Sequence, residues 1–135
     1  MNSSFDIINA SAGSGKTFAL TKRILIKILK SKDENYFKRI LALTFTNRAA
    51  AEMKSRVLNN LKDFSEIQIK DSPTEMFEQV KKELAFSSEQ IIILAKERLN
   101  LLLHNYSFFQ IETLDSFNHH IVRSFYKELN LAPDF

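Results

Sequence analysis

The chain has 135 residues, no cysteine and a formal net charge of +3, with 44% hydrophobic and 26% charged residues. This is the composition of one globular domain with a real core; it excludes disulfides and thiolate metal sites and argues against disorder. No apolar run reaches the roughly 18 residues of a membrane span, and Met1-Asn2-Ser3-Ser4-Phe5-Asp6 lacks the basic and apolar regions of a secretory signal. The lack of cysteine suits a reducing compartment, so a cytoplasmic location is expected. Charge is unevenly distributed: residues 1–56 carry 11 Lys/Arg against 4 Asp/Glu, and residues 57–135 carry 8 against 12. A basic first half suits a binder of polyanions, although solvated helix faces give the same imbalance.

In chain order, Phe5-Asp6-Ile7-Ile8 reads as a short buried strand. It leads into Ala10-Ser11-Ala12-Gly13-Ser14-Gly15-Lys16-Thr17 and then a helical run from Phe18 to about Ser31. In that run Leu20, Ile24 and Ile28, with Leu25 and Leu29, recur at helical spacing. A Gly-rich turn between strand and helix is the setting in which a phosphate-binding loop has physical meaning. Gly13 and Gly15 let the backbone turn tightly and approach a ligand, and inward amides with the helix N-terminus form a nest for phosphate. Lys16 is expected to reach the β- and γ-phosphates, and the Thr17 hydroxyl to ligate Mg²⁺. Ala10 stands where G-x-x-x-x-G-K-[ST] has its first Gly. A plain Gly turn capping a helix is the competing, weaker reading.

Ser31–Asn35 is a polar loop, and Arg39–Phe45 a near-continuous apolar run, the mark of a strand covered on both faces. A helix follows, with Asn47 as expected N-cap and Met53, Val57 and Leu61 at i, i+4, i+8. Ser72-Pro73-Thr74-Glu75 predicts a capping box with Pro at the first helical position, followed by Met76, Val80 and Leu84 on one face. Ser87-Ser88-Glu89-Gln90 predicts a second capping box, followed by a stripe of Ile92, Ala95, Leu99, Leu102 and Leu103. These two helices are expected to pair as a hairpin within a helical insertion over about 62–107. Phe108–Leu114 reads as a third strand, and the last helix carries Phe117, Ile121, Phe125 and Leu129 on one side. His119 and His120 point about 100° apart on a helix and cannot form an i, i+4 metal pair. Strands alternating with helices predict α/β architecture with a mainly parallel sheet.

Three segments together carry a family resemblance: Ala10–Phe18 (ASAGSGKTF), Leu43–Arg56 (LTFTNRAAAEMKSR) and Ile111–Phe125 (IETLDSFNHHIVRSF). Their order and spacing resemble the first motifs of superfamily 1A DNA helicases of the UvrD/Rep type, nearest to the AddA/RecB branch of helicase-exonucleases. The resemblance spans nearly the whole chain and implies a P-loop (RecA-like) partial domain, ATP with Mg²⁺ as ligand, and a role in DNA repair or recombination. It implies that residues Ala10 to Thr17 hold the nucleotide phosphates. It further implies that Thr44, Phe45, Thr46, Asn47 and Arg48 contact single-stranded DNA, as do Thr113, Ser116 and Phe117. Asp115 replaces the His usual in the last of these motifs, where a carboxylate would repel DNA; a helix-capping role is expected for it. Implied partners are single-stranded DNA and the rest of a helicase polypeptide or a nuclease/helicase partner subunit.

No strand after Thr17 ends in the Asp-Glu pair that orients Mg²⁺ and the attacking water, and arginines for the transition state are not evident. The chain is therefore expected to be the first part of a larger motor, inactive alone, with sheet edges prone to self-association. A non-catalytic nucleotide- or DNA-binding module is the alternative. A small P-loop phosphotransferase lacks an arginine lid here, and a GTPase lacks Asn-Lys-x-Asp.

Overall fold

The computed structural model describes residues 6–9, 14–67 and 73–130, with side chains from Thr17 onward. In order come β1 (Asp6–Asn9), α1 (Ser14–Lys30), a 3₁₀ turn (Tyr36–Arg39), β2 (Ile40–Thr44) and α2 (Asn47–Ser65). There follow α3 (Glu75–Leu84), α4 (Ser88–His104), a second 3₁₀ turn (Tyr106–Phe108), β3 (Gln110–Thr113) and α5 (Leu114–Glu128). The strands form one parallel sheet in the order β1-β2-β3. Asp6 pairs with Ile40 and Asn9 with Leu43; Leu41 pairs with Gln110 and Thr44 with Thr113. Helical crossovers are what parallel pairing requires, and α1 supplies the first while α2, α3 and α4 supply the second.

β2 is the middle strand, and its apolar run is buried along almost its whole length: Ile40, Leu41, Ala42 and Thr44 are all 5% exposed or less. Phe45 is not part of it, because the strand stops at Thr44 and the chain turns. The helices bury their stripes into one core with the sheet. Ile24, Leu25, Ile28 and Leu29 come from α1, and Met53, Val57, Leu61 and Phe64 from α2. Met76, Phe77 and Val80 come from α3, and Ile91, Ala95 and Leu102 from α4. The helical stretch after residue 62 thus belongs to the same core as the sheet. Phe64 and Phe77 meet edge to face, 5.3 Å between ring centroids and 75° between planes, the arrangement the ring quadrupoles favour.

Five local expectations need correction. α1 begins at Ser14, before Phe18. The N-cap of α2 is Thr46, whose side chain accepts from the Ala49 amide, so Asn47 is the first helical residue. In α3 the cap is Thr74, accepting from Phe77, which leaves Pro73 outside the helix; Ser72 lies outside the described residues. The expected α3–α4 hairpin does not form as such. α3 packs mainly on α1 and α4 mainly on α2, since Phe77 and Ile91 extend the buried faces beyond the stripes read from the sequence. Lys22 on α1 pins α3 by contacts to Glu83 (2.9 Å) and Gln79 (3.2 Å). The second capping box is present as read, with Ser87 and Gln90 exchanging side-chain and backbone bonds. Leu103, assigned to the α4 stripe, is 55% exposed, and Arg98 takes an inward place instead.

Candidate functional site

Parallel register brings the carboxyl ends of all three strands to one end of the sheet, since Asn9 lies beside Leu43 and Thr44 beside Thr113. Each strand is followed at once by a helix: β1 by residues 10–13 and then α1, β2 by Phe45-Thr46 and α2, β3 directly by α5. Three helix N-termini therefore gather at one end, each carrying partial positive charge. α1 and α2 have no acidic residue in their first turns, which leaves that field unopposed; α5 has Asp115. A polyanion is the natural complement.

Of the residues in the Gly-rich stretch, Ala10 to Gly13 lie outside the described residues, as do the side chains of Ser14, Gly15 and Lys16. The backbone of Ser14, Gly15, Lys16 and Thr17 forms the first turn of α1. Thr21 returns its hydroxyl to the Thr17 carbonyl at 2.7 Å and reaches the Met53 sulfur at 3.5 Å, which locks this turn of α1 against α2.

After β2 the residues separate by exposure. The Thr44 side chain is buried, and its hydroxyl donates to the Thr46 carbonyl at 3.0 Å, bracing the turn. Phe45, by contrast, is 67% exposed. Thr46 and Asn47 are exposed beside it, and the Arg48 side chain is 89% exposed with one i, i+4 contact to Glu52 at 3.3 Å. A pair so exposed holds its arginine only loosely. After β3, Thr113 is buried and caps α5 by accepting from the Ser116 amide at 3.2 Å, while its hydroxyl donates to Ser116 Oγ at 3.0 Å. The cap of α5 is thus Thr113 and not Asp115, which is exposed one position inside the helix, where its charge faces the helix dipole favourably. Ser116 and Phe117 are half-buried.

The profile of the UvrD/REP helicase N-terminal domain matches residues 3–135. The chain belongs to that family. Among curated proteins it is similar to an ATP-dependent helicase/nuclease subunit from Lactococcus lactis subsp. cremoris, 30% identical over 129 residues, or 96% of this chain and 9% of the relative. It is also 33% identical over 129 residues to the protein of that name from Bacillus pumilus, covering 96% of this chain and 8% of the relative. Exonuclease/helicase subunit RexA of Lactococcus lactis is 30% identical over the same length, 9% of that protein. The chain spans less than a tenth of the length of these relatives. No solved structure matches it.

Within this UvrD/REP-family chain, two features went unread in the sequence. Arg98 is 4% exposed; its Nε donates to the Ile28 carbonyl at 3.2 Å and its Nη2 to the Ser31 carbonyl at 2.9 Å. It also contacts Glu97 through Nη1. It thereby closes the C-terminal end of α1, where carbonyls lack helical partners. The available signal was spacing, because Arg98 stands at i+3 from Ala95 and i−4 from Leu102 on the apolar stripe. The second is His120, which lies 3.1 Å from Glu112 and ties α5 to β3.

Proposed function

We propose that this chain is the nucleotide-phosphate- and single-strand-binding part of an ATP-dependent DNA helicase, working with the rest of a helicase/nuclease polypeptide or with a partner subunit. The reading is carried by one observation, the gathering of three helix N-termini at the carboxyl end of a parallel sheet, where ligands of open α/β sheets bind. The relatives are named as subunits of an ATP-dependent helicase/nuclease, which supports the motor, the nuclease connection and the partnership with other chains. The Gly-Lys-Thr sequence at the start of α1, and an α1 first turn free of carboxylates, fit a Mg²⁺-nucleotide. In this reading the chain carries a P-loop, RecA-like partial domain.

The residues divide the work. Backbone amides of residues 10–15 with Lys16 would hold the phosphates, and the Thr17 hydroxyl would hold Mg²⁺, which would neutralise phosphate charge. Phe45 offers its exposed ring to a base, with Thr46, Asn47, Arg48, Ser116 and Phe117 beside the DNA backbone. The buried Thr44 and Thr113 act by holding the turns that present these groups.

Contacts made equally to ground and transition states bind without accelerating chemistry. Purified 1–135 is therefore expected to bind Mg-ATP or Mg-ADP weakly and to turn ATP over only at background, with or without DNA. In calorimetric titration Lys16→Ala is expected to abolish nucleotide binding while leaving the helical circular dichroism intact. DNA-stimulated phosphate release that disappears in Lys16→Ala would overturn the division of labour and require a metal-orienting acid within these residues.

A further inference from the structure

The opposite end of the sheet has its own chemistry. Lys38 lies in the 3₁₀ turn before β2, and Tyr106-Ser107-Phe108 form the 3₁₀ turn before β3, so parallel register sets both at the amino ends of the strands. Phe108 is 52% exposed and Tyr106 42%. Each ring carries a lysine: Lys38 Nζ is 4.9 Å from the Phe108 centroid, and Lys54 Nζ, reaching across from α2, is 4.8 Å from that of Tyr106. Among the described residues neither lysine has a carboxylate partner. The result is a strip of two exposed rings flanked by two cations: Lys54, Tyr106, Phe108, Lys38.

We propose that this strip binds single-stranded nucleic acid, as a second contact independent of the strand-end site in the proposed function. Each unit pairs a positive charge that no carboxylate among the described residues engages with an exposed aromatic ring, the two groups that a phosphodiester and an unstacked base require. An acidic peptide uses the lysines but leaves two exposed rings without purpose. With the five residues of β2 rising about 3.3 Å each, the two sites are about 16 Å apart along the strands. One nucleotide cannot touch both, and a longer strand reaches each separately.

The test uses chain 1–135, a fluorescein-labelled oligothymidylate and anisotropy at low salt. Lys38→Gln/Lys54→Gln and Tyr106→Leu/Phe108→Leu are made both in the native sequence and in a Phe45→Ala/Arg48→Gln background that removes the strand-end contacts. Either pair is expected to weaken binding about tenfold in both backgrounds. The lysine pair should also reduce the log–log salt slope by roughly 1.4, the value for two single-strand phosphates. An oligonucleotide carrying iodouracil should photo-crosslink to the peptide containing Tyr106 and Phe108. Should the leucine variant unfold, the lysine variant and the crosslink decide. Unchanged affinity and slope in folded variants, or no crosslink at this turn, overturns the proposal. So does polyglutamate binding that these variants lose while oligothymidylate binding persists, since the strip is then an acidic-peptide surface.

Discussion

Phe45 shows how little separates a core ring from a solvent-exposed ring in sequence. It ends a seven-residue apolar run, Arg39–Phe45, and only the point at which pairing stops decides its environment. The strand closes at Thr44, whose hydroxyl bonds forward to Thr46, and Phe45 is left in solvent. Phe45→Ala is accordingly expected to weaken oligothymidylate binding by about 1–3 kcal/mol while changing stability by about 0.5 kcal/mol or less. A variant that unfolds, or binds as before, returns the ring to a packing role. Capping was legible as chemistry but not as position: Thr46 and Asn47 are both good caps, and Thr46 wins because β2 ends two residues earlier. Thr46→Ala should cost about 0.5–2 kcal/mol in denaturant unfolding. Spacing placed Arg98 on the apolar stripe but did not show its burial, because a snorkelling surface arginine has the same spacing. With two charged-donor bonds to the α1 end, Arg98→Ala should cost at least about 3 kcal/mol. A loss below about 1 kcal/mol would show that water replaces it at those carbonyls.

At the scale of elements, short apolar runs and helical spacing marked all three strands and all five α-helices that the described residues contain. What periodicity cannot report is the partner of a face. α3 and α4 follow one another and look like a hairpin, yet each lies mainly against an earlier helix. The last helix is the sharper case. Phe117, Ile121, Phe125 and Leu129 have the spacing of a core face, but Ile121, Val122, Phe125 and Leu129 are 51%, 37%, 59% and 51% exposed. From Ile121 to Asn130 only Tyr126 is even half-buried, so the second half of α5 stands clear of the body. Helical turns without tertiary support are marginal in water. Amide exchange in 121–130 is expected to be much faster than in α1 or α2, whose buried faces lock their backbones. Equal protection across α5 and α2 would contradict this.

For the whole molecule, the described sheet has three strands, so β1 and β3 each have one edge that no described strand covers. Those edges, added to the apolar half of α5, are the surfaces through which self-association is expected. Sedimentation should show concentration-dependent association, with dye binding to exposed apolar surface, and Ile121→Glu/Phe125→Glu should suppress both. A compact monomer over the same concentration range, with no dye binding, would remove the self-association claim. The α/β class and the family were legible because three motifs fall at the three strand ends. The separation of Thr44 and Thr113 from Phe45 and Arg48 was not, since burial within a motif depends on the turn each residue occupies.

Binding of nucleotide phosphates is expected between β1 and α1, at the carboxyl end of the sheet. Its most direct test is amide chemical-shift mapping of isotopically labelled 1–135 during titration with Mg-ATP. Saturable shifts are expected to concentrate in residues 10–18, with smaller ones at the first turns of α2 and α5, all absent in Lys16→Ala. Saturable shifts centred elsewhere on the molecule, or shifts in residues 10–18 that persist in Lys16→Ala, would contradict it.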